Sequence, residues 1–171
     1  MITVRPEMPG DEDAIRQVNL LAFGRDAEGK LVDLIRGSRF YVPGLSMVAL
    51  DGNAIVGHIL LSAAMLINSH DAMPILALAP MSVLPEYQGR GIGTKMIQCA
   101  LERARNSHFL AVVVLGQPDY YQRFGFVKAS EKGIFAPFTV PDEVYMVLEL
   151  IPNALDNVTG TVRYPPCFAY L

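Results

Sequence analysis

Apolar and polar residues alternate along ITVRP at the start of the chain, a period of two that predicts a short strand stopped by Pro6. After Pro9-Gly10, Asp11 stands where a helix cap belongs, and Ala14, Ile15, Val18, Leu21 and Ala22 recur at helical spacing as an inward stripe. GRDAEGKLVDLIRGS reads as a second helix with Leu31, Leu34 and Ile35 inward, ended near Gly37. LSMVAL and AIVGHILLSAAMLI flank the turn DGN and predict an antiparallel hairpin. PILALAPMSVL and FLAVVVLG are nearly continuous apolar runs, as expected of central strands covered on both faces. Between them Ile97, Ala100, Leu101 and Ala104 fall three to four apart, one face of a helix ending near Asn106. PDYYQRF predicts a short helix ended by Gly125, and VYMVLEL a late strand. The order is β-α-α-β-β-β-α-β-α-β-β, an α/β (α+β) chain with a mixed sheet and helices on its faces.

Residues 151–171 lack a clear period, although Thr161–Tyr164 reads as a strand before a proline stop. A cover for the core is the first expectation for this segment, ahead of an interface or a substrate wall. The 171 residues, 51% hydrophobic and 18% charged, suit one domain with one core. A formal net charge of −3 argues against a general nucleic-acid binder. No apolar run reaches the ~20 residues that span a bilayer, and MITVRPEMPGDEDAI lacks the apolar centre of a secretory signal. The two cysteines, Cys99 and Cys167, form no CxxC pair, so neither a zinc site nor a disulfide framework follows, and a reducing cytoplasmic setting is the expectation. His58, His70 and His108 complete no metal-binding set.

Candidate chemistry concentrates in VLPEYQGRGIGTKMI, where Gly89, Gly91 and Gly93 precede a helix. A Walker loop requires Gly immediately before its Lys, but Thr94 precedes Lys95. G-x-G-x-x-G fails as well, because its last position is Thr94 or Met96. Two readings remain on spacing alone: an anion site made of main-chain amides at a helix start, with Arg90 and Lys95 at its rim, or a glycine turn with an ordinary cap.

LAPMSVLPEYQGRGIGTKMI resembles the acetyl-coenzyme-A motif [QR]-x-x-G-x-[GA] of the GNAT superfamily of N-acetyltransferases, at Gln88, Gly91 and Gly93. PDYYQRFGF resembles that family's Y-x-x-x-G-F segment at Tyr121, Gly125 and Phe126, and DGNAIVGHILL its central hairpin. The resemblance covers residues 1–150 as the acetyltransferase domain, with 151–171 an extension packed on it. It implies a mixed, mostly antiparallel sheet of six to seven strands, splayed at its centre and flanked by about four helices. Acetyl-CoA is the implied co-substrate and coenzyme A the product. Pantetheine would lie between the strands at 75–84 and 109–115 and pair with main chain at Met81 and Val83. The pyrophosphate would rest on the loop from Gln88 through Gly89, Arg90, Gly91, Ile92 and Gly93 to Thr94, where glycine matters more than the side chains of Arg90 and Ile92.

The implied reaction is direct acetyl transfer to a primary amine, small molecule or peptide, with Tyr121 as the acid for the leaving thiolate. Tyr120 competes for that role from the residues alone. No carboxylate stands on the central strands to act as base, which leaves His58, Ser82 and Asp119 as candidates, and Glu86 reads as a solvated turn residue. LGQPDYY replaces the segment in which the family often carries an Asn before the tyrosine helix. An acyl-CoA-binding regulatory module without turnover is the alternative from another class. A homodimer also follows from resemblance alone, and the acceptor would enter past residues 20–45, 66–74 and 130–142.

Overall fold

The computed structural model describes residues 1–170, so Leu171 lies outside the described residues. The elements run β1 (Ile2–Pro6), α1 (Glu12–Phe23), α2 (Ala27–Arg36), β2 (Ser46–Asp51), β3 (Ala54–Ile67), β4 (Ala72–Val83), α3 (Ile92–Arg105), β5 (Ala111–Leu115), α4 (Pro118–Tyr121), β6 (Val127–Lys128), β7 (Ile134–Phe135), β8 (Tyr145–Glu149) and β9 (Gly160–Arg163). The strands hydrogen-bond in the order β1-β2-β3-β4-β5-β8-β6, with β9 on β3 and β7 on β9. Among the described residues this is the mixed, mostly antiparallel sheet with four helices that was expected, with nine strands rather than six or seven. The added strands β6 and β7 have two residues each, too short for any period to show. No helix among the described residues is long and apolar enough to cross a membrane.

The chain forms two compact units. One comprises Met1–Ser62, Ala79–Arg103 and the C-terminal residues from Pro166; the other comprises Ala63–Leu78 and Ala104–Pro165.

In the first unit β1 runs antiparallel to β2, from Ile2↔Asp51 to Pro6↔Met47, and β2 to β3, with a bulge at Ala49/Leu50. Ile15, Leu31, Val32, Ile35, Val48, Leu50 and Leu60 make a core against which Cys167 and Phe168 pack. Cys167 and Phe168 thus cover apolar surface of this unit. Two stripe assignments need correction: Leu21 is 47% and Leu34 46% exposed. On α1 the inward place is taken by Asn19, which is fully buried beside His58. Asp11 does not cap α1 through its side chain. Its carboxylate accepts instead from the Met8 amide (2.7 Å) and the Arg5 guanidinium (2.7 and 3.2 Å). On α3, Ile97, Ala100 and Leu101 are buried as the spacing requires, as is Ala104, the first residue of the helix that counts with the second unit.

In the second unit β5 pairs in parallel with β4 at Leu76↔Val112 and Ala77↔Val113, and antiparallel with β8 from Ala111↔Glu149 to Leu115↔Tyr145. β9 joins β3 at Met65↔Arg163 through Ile67↔Thr161, so the strand read at Thr161–Tyr164 exists and is a sheet member. Its neighbour Tyr164 shares a hydroxyl–hydroxyl hydrogen bond of 2.8 Å with Tyr145.

Candidate active site

The glycine loop belongs to the first unit. β4 delivers the chain to a 3-10 turn at Pro85–Tyr87 that ends at the extended Gln88 (ψ 153°), after which Gly89 (φ 77°) and Gly91 (φ 79°) both adopt the left-handed region. A Cβ at either glycine would meet no protein atom within 4 Å. Packing therefore does not demand glycine there; the backbone angle does, and the approach to the main chain stays open. The first bond of the α3 ladder runs from the Lys95 N–H to the Gly91 carbonyl at 3.1 Å. The amides of Gly91, Ile92 and Gly93 therefore lie ahead of the ladder, at the positive end of the helix dipole. Ile92 is buried and anchors the first turn, in which Gly93 and Thr94 are half-buried.

Gln88 turns its side chain back, donating from Nε2 to the Val83 carbonyl at 3.0 Å. That bond ties the loop to the end of β4. The Leu84 amide donates to the Val56 carbonyl at 2.9 Å, so Leu84 directs its main chain toward β3. By strand alternation Val83 and Met81 direct theirs to the other edge. Pro80 and Ser82 are buried, whereas Ala79, Met81 and Val83 are only half-buried. One face of this strand end is thus packed and the other remains accessible. The rim cations differ from expectation: Arg90 lies over the Tyr87 ring, 5.0 Å from its centroid, but Lys95 Nζ donates to the Ile2 carbonyl at 2.5 Å.

His58, also in the first unit, is fully buried in a polar chain. Its Nε2 lies 2.9 Å from Ser46 Oγ, and Ser46 Oγ lies 2.5 Å from Glu7 Oε2. Glu7 also accepts from Arg36 Nε (2.7 Å) and from the Tyr41 hydroxyl (3.1 Å). The consistent assignment has Ser46 donating to the carboxylate and His58 Nε2–H donating to Ser46. His58 Nδ1 then accepts from Asn19 Nδ2 at 3.4 Å. Burial lowers the His58 pKa to about 4, against the smaller opposing pull of Glu7. This is a neutral, sequestered imidazole and does not suit a base that must meet solvent and substrate. Ser82 lies on the packed face of β4, its hydroxyl without a hydrogen-bond partner among the described residues. Asp119, Glu86, His70 and His108 are exposed. Among the described residues no three His, Cys, Asp or Glu side chains are grouped to hold a metal ion.

The tyrosine pair belongs to the second unit, where the structure separates its members. Tyr120 is half-buried, with Arg123 4.6 Å above its ring. Tyr121 is 8% exposed, edge-on to Phe126 at 5.6 Å, and lies against Gly116. Gly125 (φ 97°) ends the 3-10 turn after α4 and returns the chain so that Phe126 reaches that ring. Burial raises the Tyr121 pKa to about 12, with Tyr120 adding to the shift, so the phenol stays protonated at neutral pH. Gly116 escaped the sequence reading, since only the folded chain shows which ring uses the space it leaves.

The model of the acetyltransferase (GNAT) domain family matches residues 36–128. The uncharacterized N-acetyltransferase YjhQ of Escherichia coli K12 is 38% identical over 157 residues, spanning 90% of this chain and 86% of that protein. YhbS of the same strain, also an uncharacterized N-acetyltransferase, is 30% identical over 161 residues, 94% of this chain and 95% of YhbS. The crystal structure of Escherichia coli YhbS in complex with CoA superposes with a TM-score of 0.90 at 28% identity, covering 98% of this chain and 92% of that one. A GNAT acetyltransferase from Brucella melitensis in complex with acetyl-CoA gives a TM-score of 0.80 at 31% identity, covering 98% of both chains. With a family model matched from the end of α2 through β6 and relatives that run nearly its full length, this chain belongs to the GNAT acetyltransferase family.

Proposed function

We propose that this protein moves an acetyl group from acetyl-CoA directly to a primary amine. The observation that carries the reading is Tyr121: a buried, protonated phenol seated on Gly116, at the position that matches the family's motif. The likeness to structures solved with CoA and with acetyl-CoA supports the co-substrate.

The residues of the first unit fit coenzyme A. The amides from Gly89 to Thr94 would hold the pyrophosphate, reached without side chains in the way at Gly89 and Gly91. Met81 and Val83 would pair with pantetheine as an added half-strand does. Because Gln88 occupies the Val83 carbonyl, Met81 would carry more of that pairing. Bound there, acetyl-CoA supplies an activated acyl carbon and a thiolate leaving group.

With its pKa near 12, Tyr121 holds its proton against a thiolate, whose parent thiol has a reference pKa of ~8.5. Its role is therefore a hydrogen bond to the developing thiolate rather than complete proton delivery. The acceptor must present its lone pair, since primary ammonium groups titrate near ~10.4 and α-amines near ~8; as its C–N bond forms and the C–S bond breaks, the nitrogen gives up one proton to solvent and the sulfur leaves as the thiolate of coenzyme A.

An amine panel that follows CoA release tests the reading, together with melting curves. Acetyl-CoA at ~100 times its Kd should raise the unfolding free energy by about 2.7 kcal/mol. Stabilisation together with CoA release on some amine is the expected result. Absence of any stabilisation overturns acetyl-CoA as the co-substrate, and binding without turnover across the panel favours a non-catalytic acyl-CoA-binding module.

A further inference from the structure

The loop from Tyr87 to Lys95 carries two cations, Arg90 and Lys95, with unlike surroundings. Lys95 is turned toward β1, its ammonium donating to the Ile2 carbonyl. Arg90 is exposed, its guanidinium 5.0 Å above the centroid of the Tyr87 ring. That ring is itself tethered, because the Tyr87 hydroxyl donates to Asp51 Oδ2 at 2.9 Å. Asp51, the last residue of β2, thus fixes a phenol that in turn carries a guanidinium beside the amide cradle.

Coenzyme A presents two separate anionic groups, a pyrophosphate and a ribose 3′-phosphate monoester. Main-chain amides suit the first. The second is a compact dianion that a planar guanidinium binds through two parallel hydrogen bonds. An arginine held on an aromatic face also has less side-chain freedom to lose on binding.

We propose that Tyr87, anchored by Asp51, positions Arg90 to bind the 3′-phosphate of coenzyme A, so that this chain distinguishes CoA from 3′-dephospho-CoA. The proposal rests on the coenzyme A reading above. Tyr87 is a positioning residue here, and Arg90 is the group that meets the ligand.

Calorimetric titration of the full chain with CoA and with 3′-dephospho-CoA tests it without any acceptor amine. The wild type should prefer CoA by about tenfold or more, the effect of one charge-assisted contact. Arg90→Ala should bring the ratio close to one, mainly by weakening CoA. Tyr87→Ala should reduce the ratio by about threefold, and Tyr87→Phe, which keeps the ring, should retain most of the preference. Damage to the fold would weaken both ligands alike and leave the ratio in place. An equal affinity of the wild type for the two ligands overturns the proposal, as does an unchanged ratio in Arg90→Ala. An unchanged ratio in Tyr87→Ala alone removes the positioning role of Tyr87. Failure of the wild type to bind either ligand instead overturns the coenzyme A reading itself.

Discussion

The ring of Tyr121 lies against the main chain of Gly116: a Cβ at residue 116 would overlap Tyr121 Cε2 and come within 2.9 Å of Cδ2. The Gly116 amide is meanwhile held by the Val144 carbonyl at 2.9 Å, so the glycine cannot easily retreat. Gly116→Ala should therefore push the phenol aside, costing about 1–3 kcal/mol of stability as an overpacked site does. Acetyl transfer should fall by about a hundredfold, the scale of a misplaced reacting group. Steady-state kinetics beside a melting curve checks both, and an unchanged rate would show that the ring's seat does not matter to the chemistry.

Tyr121→Phe keeps the ring and its contacts with Phe126 while removing the donor. Turnover should drop by about a hundredfold, the scale of losing one hydrogen-bond donor to developing charge, with the Kd for acetyl-CoA unchanged. Because the phenol titrates near pH 12, wild type and variant should show the same pH dependence from pH 6 to 9. A pH limb in this range that vanishes in the variant would contradict the protonated phenol.

At Gly91 the backbone angle, not the surroundings, requires glycine. Gly91→Ala should cost about 1–2 kcal/mol for the left-handed residue and should weaken CoA binding, since the methyl group would project into the open approach. Thermal unfolding with and without CoA separates the two effects; undiminished CoA binding would remove this loop as the pyrophosphate cradle.

The buried His58 predicts an acid-sensitive fold. Its pKa is near 4 in the folded chain and near 6.5 in the unfolded one, so between these values the unfolded state binds more protons. Stability should accordingly fall by about 2 kcal/mol from pH 7 to pH 5 through this residue alone. Glu7, held below its ordinary value by Arg36, Ser46 and Tyr41 against the cost of its own burial, adds stability above pH 4.5 that is lost on further acidification. Urea unfolding across this range should show the loss, and His58→Phe should flatten the slope above pH 5 while lowering the plateau.

Much of the architecture was legible because periodicity reports burial directly. The β2–β3 hairpin announces itself by the DGN turn, and the inner face of α3 by the spacing from Ile97 to Ala104. Leu21 and Leu34 fit the helical pattern equally well yet face outward, because period alone does not say how wide a stripe the neighbouring elements cover. The glycine loop was readable as a motif since its angles are local. The roles of Gly116, Lys95 and Asn19 were not, for each depends on an atom brought close by folding: the Tyr121 ring, the Ile2 carbonyl and the His58 imidazole. Tyr120 and Tyr121 are indistinguishable as letters and separate only when one of them is buried.

The pairing of β9 with β3, and the seating of Cys167 and Phe168 on the core of the first unit, set an order of events during synthesis. Met65 must wait for Arg163, and the apolar surface of Ile15, Leu31 and Ile35 for Phe168, until those later residues have left the ribosome. Contacts so distant in sequence carry a large loop-closure cost and form late. A nascent chain stalled before residue 160 would expose an unpaired strand edge and an uncovered apolar face, the surfaces that chaperones and aggregation both seek.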